Sequence, residues 1–226
     1  MSNPRWLYRV GVLSGAAVLA ACSSGGDNAQ GAGTAEPSTL IHEPLVATYD
    51  GGLYVLDGET LEVKQDIPLD GFLRVNPAGD DAHVLVTTDE GFRILDAASG
   101  QLTDETFPAD EAGHVVPHGE TTVLFADGSG ESTTFDPHDL ADGMPQTQMV
   151  TTPQPHHGVA VVLSDGTLVH SLGDSESRTG AVALRGDREI ARNDDCPGLH
   201  GEAVVADEEV VLGCENGALI FANDRF

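Results

Sequence analysis

A Gly-led strand recurs roughly every 40 residues, and this period constrains the fold more than any other feature. The copies read GGLYVLD at 51–57, EGFRILD at 90–96, DGTLVHS at 165–171 and NGALIF at 216–221, with a weaker one, DGSGESTTFD, at 127–136. Asp-Gly, Glu-Gly or Asn-Gly ahead of alternating apolar residues is a hairpin signal. Just upstream of most copies lies another strand: HVLVTT at 83–88, TTVLFA at 121–126, VAVVLS at 159–164 and VVLGC at 210–214. Repeating units of several short strands are the mark of β-propeller blades, each a small twisted sheet that must stack on its neighbours to bury both faces. The expectation is therefore an all-β chain, a β-propeller domain over residues 40–226, with about four to five blades. The last unit lacks its outer strands. Either the strand before residue 60 completes it, or the chain is part of a longer propeller. The second reading is preferred, because the sequence ends straight after a strong inner hairpin.

Within this repeat, His-Gly recurs as His118-Gly119, His157-Gly158 and His200-Gly201, 39 and 43 residues apart. Each pair is followed by an apolar strand. Aligning the units gives Asn76-Pro77-Ala78-Gly79, Val116-Pro117-His118-Gly119, Gln154-Pro155-His156-His157-Gly158 and Gly198-Leu199-His200-Gly201. Equivalent positions at the entry to an innermost strand converge on a propeller axis. His118, His157 and His200 are therefore the expected metal ligands. Neutral imidazole in tetrahedral geometry suits zinc, and exported His-rich sites also suit copper or nickel. A water or carboxylate would complete the set. His156 adjoins His157, so one of the two points away. His114, four residues before His118, is an alternative ligand or a partner of one.

The chain carries 10 Lys+Arg against 37 Asp+Glu, a net charge of −27. Nucleic acid would be repelled by such a surface, and cations attracted. Residues 1–22 read as a signal peptide: Arg5 and Arg9 ahead of a short apolar run, then Leu19-Ala20-Ala21-Cys22. These small residues before Cys22 resemble a bacterial lipobox, which implies lipidation at Cys22. Residues 23–39 are rich in Ser, Gly and Ala and read as a flexible tether. The domain is thus expected outside the cytoplasmic membrane, held to it by a lipid anchor. Cys196 and Cys214 remain, and an exported domain usually pairs two such cysteines. A pair of thiolate metal ligands is the rival reading, though the spacing is not that of C-x-x-C sites.

Catalytic motifs are thin: the sequence has no G-x-S-x-G elbow, no H-E-x-x-H and no phosphate-binding Gly loop. An enzyme is not expected. The segments PHHGVAVVLSDGTLVHSLGD at 155–174, CPGLHGEAVV at 196–205 and GCENGALIF at 213–221 resemble the AztD-type zinc metallochaperones. These are exported β-propeller proteins encoded beside a zinc ABC transporter. The resemblance runs from Leu45 to Phe226 and looks like the N-terminal half of such a protein. It implies zinc as the bound metal and delivery to the solute-binding protein of the transporter, with His118, His157 and His200 at the matching positions. Some relatives carry a His- and Asp-rich N-terminal segment that this tether lacks. A metal-free propeller lipoprotein serving as an interaction scaffold is the alternative, and it expects imidazoles pointing to solvent.

Overall fold

The computed structural model describes residues 40–226. The signal segment, Cys22 and the tether lie outside the described residues. Five antiparallel sheets follow one another along the chain. The first holds β1 (Leu45–Tyr49), β2 (Gly52–Leu56) and β3 (Val63–Pro68). The second holds β4 (Arg74–Pro77), β5 (His83–Thr88), β6 (Gly91–Asp96) and β7 (Gln101–Pro108). The third holds β8 (Ala112–His118), β9 (Thr121–Ala126), β10 (Glu131–Phe135) and β11 (Gln148–Thr151). The fourth holds β12 (Ala160–Val162), β13 (Thr167–Gly173), β14 (Arg178–Arg185) and β15 (Arg188–Asn193). The fifth holds β16 (Glu202–Val205), β17 (Glu209–Cys214) and β18 (Gly217–Phe221).

Every sheet is a meander in which sequential strands pair. The first strands lie side by side, β4 next to β1 and β8, and β8 next to β12. This is propeller blade packing, with the first strand of each blade innermost. The sequence points to four or five blades, and five sheets are present among the described residues. β1 and β2 pair with β3 and not with the fifth sheet, so the N-terminal strand does not complete the last unit.

Alternation along each strand explains the stacking, because successive side chains leave opposite faces. Leu85 and Ile94 enter the layer between the second and third sheets, while their neighbours Val86 and Leu95 enter the layer between the first and second. Val123 and Phe125 pack against Ala160 and Leu168 between the third and fourth sheets, and Leu124 faces the other way. The largest cluster joins the fourth and fifth sheets through Val159, Val161, Ala181, Leu199, Val210 and Leu212. A polar tie supplements these layers: the Thr122 hydroxyl on β9 donates to the Ala78 carbonyl of the second sheet.

Cys196 and Cys214 form a disulfide, with Cα atoms 5.0 Å apart. This leaves no thiolate pair, so the rival metal-ligand reading of the two cysteines is set aside. A crosslink closing a loop of 18 residues stabilises by about 3 kcal/mol through loop closure.

Phe125 is fully buried, and its ring lies edge-on to that of His156 at 5.4 Å. Phe125→Ala is expected to cost about 3–5 kcal/mol in chemical denaturation. A loss below about 1 kcal/mol would contradict the stacked-layer account.

Candidate metal centre

Three imidazoles meet where the third, fourth and fifth sheets adjoin. They belong to His114 on β8, His157 just before β12 and His200 just before β16. The ring centroids form a near-equilateral triangle with sides of 5.2, 5.2 and 5.1 Å. One nitrogen from each lies within 4.8 Å of the others, and the Nε2 atoms of His157 and His200 are 3.1 Å apart. His200 is exposed, and the other two are partly buried.

Local structure explains how the rings come together. His157-Gly158 and His200-Gly201 occupy the same place, the entry to the innermost strand of their sheets. The third ring reaches the group differently. The register of β8 against β9 shifts between Ala112 and Val115, and an extra residue of this kind re-aims a side chain. His114 sits in that shift. Gly113 beside it has no room for a Cβ, which would lie 2.3 Å from an Asp127 oxygen.

Asp127 and the Gly158 peptide fix two of the rings from outside. His157 Nδ1–H donates to Asp127 Oδ2 at 2.5 Å, and the Gly158 N–H donates to the other oxygen at 3.3 Å. His114 Nδ1–H donates to the Gly158 carbonyl at 2.9 Å. Each donation leaves Nε2 with its lone pair free, and for His157 that atom faces His200. Such outer partners raise ligand basicity and hold ring orientation. Among the described residues the His200 ring has no partner of this kind. Burial holds the His114 imidazole below the usual 6.5, against the opposing effect of its bond to Gly158. Partial loss of water around its inward edge lowers the exposed His200 as well, helped by the charge of His157.

The donor set fits a metal ion. Tetrahedral zinc at Zn–N distances of about 2.0–2.1 Å places its nitrogens about 3.3–3.4 Å apart. The His157–His200 pair is already at 3.1 Å. The 4.8 Å limit on the trio leaves side-chain rotations of an ångström or so to close around an ion. Three ligands also leave a coordination position open. A cleft of about 320 Å³ reaches His157 along residues 174–178 and the Pro197-Gly198 turn.

Two expected ligands are elsewhere. His118-Gly119 is not a strand entry but the turn between β8 and β9. The apolar run after it is the second strand of its sheet, whereas those after His157 and His200 are first strands. His118 therefore lies at the far end of β8 from His114. Its Nε2 is 3.1 Å from both oxygens of Glu208, which also accepts the Ser164 N–H at 2.9 Å. That carboxylate ties the inner turns of three sheets at the end away from the trio. His156 is buried, with Nδ1 2.9 Å from the Gln154 carbonyl and Nε2 2.9 Å from the Ser171 hydroxyl. Both of its nitrogens are used, and it packs as a core residue. Glu202 follows His200-Gly201 but is not one of the grouped donors, and burial pushes its carboxyl up to about 7. Asp127 escaped the sequence reading because Asp127-Gly128 after an apolar strand reads as a turn, which it also is.

No protein-family model and no curated protein matches the sequence. Solved structures do. AztD from Citrobacter koseri in its apo form superposes with a TM-score of 0.67 at 20% identity, over 80% of this chain and 54% of that one. A second AztD structure from the same organism gives 0.65 at 19% identity, over 81% and 54%. The fold is that of AztD. The chain spans about half the length of the AztD structures it matches. Hsv2p from Kluyveromyces lactis shares the architecture more distantly, at a TM-score of 0.59 and 11% identity over 80% of this chain and 58% of that one.

Asp127→Ala is expected to weaken zinc binding about 10–100-fold, read by competition with a chromophoric chelator. An unchanged affinity would remove Asp127 from the centre. In an NMR titration of the metal-free protein, His114 and His200 are expected to titrate below 6.5. Only neutral imidazole binds metal, so zinc affinity should hold as pH falls to that value and be lost further down. Midpoints at or above it would contradict the burial argument.

Proposed function

We propose that this protein is an extracytoplasmic zinc carrier, anchored to the membrane through a lipid on Cys22, which passes its metal to the solute-binding protein of a zinc ABC transporter. The observation that carries the reading is the convergence of His114, His157 and His200 from three successive sheets. The AztD fold and the motif resemblance in the His157 and His200 segments support it. A scaffold without metal has no need of three imidazoles turned toward one another.

Zinc is here the cargo. His114 and His157 would hold it as neutral donors oriented by Gly158 and Asp127. The open position lets an acceptor's ligand join the metal before any of the three histidines leaves, so the ion need not pass through water. The net charge of −27 raises the local concentration of cations around the domain. No residue is assigned a catalytic role.

The test is metal analysis and zinc titration of the purified protein. One zinc per chain is expected. His157→Ala or His114→Ala should weaken binding by a hundredfold or more, while His118→Ala stays within about twofold. Protein that binds no zinc, or loses it with His118 and not with His114, would overturn the assignment.

A further inference from the structure

Two of the three rings are oriented by side-chain bonds to fixed partners, and among the described residues the third is not. His114 is set by the Gly158 carbonyl and His157 by Asp127. Among the described residues the His200 ring hydrogen-bonds only to His157, inside the group itself. Its position therefore depends on its backbone.

That backbone is a limb without regular structure, residues 194–201, between β15 and β16. Two of its residues, Gly198 and Gly201, have positive φ of 63° and 78°, so the limb includes the least restricted residue type at two points. Five main-chain bonds hold it, one of them from the Gly213 N–H to the Gly201 carbonyl at 3.3 Å. Cys196 and Gly198 donate to the carbonyls of Thr179 and Arg178, Glu215 donates to Pro197, and His200 donates to Gly213. The covalent tie is the disulfide from Cys196 to Cys214, the residue next to Gly213. Cys196 and Leu199 are also buried among the residues joining the fourth and fifth sheets.

We propose that the Cys196–Cys214 crosslink is a positioning device of the metal centre. It holds the His200 limb against β17 so that the ring reaches the other two, doing for His200 what Asp127 does for His157. This inference rests on the reading of the trio as a zinc site. Its distinct claim is that the crosslink acts on zinc through His200 alone.

The experiment is a double-mutant cycle on the mature protein. Zinc affinity is measured by chelator competition for wild type, His200→Ala, Cys196→Ala/Cys214→Ala and the combined variant, each checked for folding by circular dichroism. Alanine at both cysteines removes the tie without leaving thiolates to bind zinc. The expected result is a loss of about 10–100-fold on removing the crosslink, and no further loss when His200 is already alanine. An equal loss with and without His200, or no loss in wild type, would overturn the inference while leaving the carrier reading intact. Wild type without zinc affinity would overturn both. If the crosslink-free chain does not fold, one glycine inserted between Leu199 and His200 keeps the disulfide and frees the ring. The same loss is then expected, and unchanged affinity would overturn the inference.

Discussion

The second, third and fourth sheets are apolar on both faces, and no sheet can cover itself. That constraint fixes the architecture. β5, β6, β9 and β12 send alternate side chains into two different layers, so each needs a neighbour on either side. Stacking in sequence order brings the first strands together, and the inner positions of successive sheets become neighbours. Residues about 40 apart in sequence then lie a few ångströms apart in space. The three imidazoles are a product of that packing, because no single sheet holds more than one of them.

The bonds around the trio show how a shallow site is given a defined shape. One peptide, Gly158, accepts from His114 through its carbonyl and donates to Asp127 through its N–H. Asp127 in turn accepts from the His157 Nδ1–H. Two rings from two sheets are thus tied to one fixed unit. At the opposite end of the same inner strands, Glu208 joins the turns that carry His118 and Ser164. The strands are held at both ends, which limits sliding of one sheet against another where it would spread the three imidazoles.

Much of this was legible in the sequence. The hairpin signals are local, and the Gly-led strands at Gly52, Gly91 and Gly217 fall where β2, β6 and β18 begin. The disulfide followed from the export signal, and two members of the trio, His157 and His200, from their place before apolar strands. The third member of the trio was misread because the units were aligned one strand out of phase. In the second, third and fifth sheets the upstream strand of the hairpin is the second strand, but in the fourth it is the first. His118 and His157 then look equivalent when one is a turn and the other an entry. The residue that fills the gap, His114, reaches the group through a register shift in β8, and periodicity contains no sign of such a shift. Asp127 was hidden by doing two things at once, turning the chain and holding a ring.

The central claim is that one ion binds to three imidazoles drawn from three sheets. X-ray absorption at the zinc edge of the loaded protein tests it most directly. The account predicts three imidazole nitrogens and one light exchangeable ligand at about 2.0–2.1 Å. A spectrum dominated by oxygen, with no imidazole scattering, would contradict it.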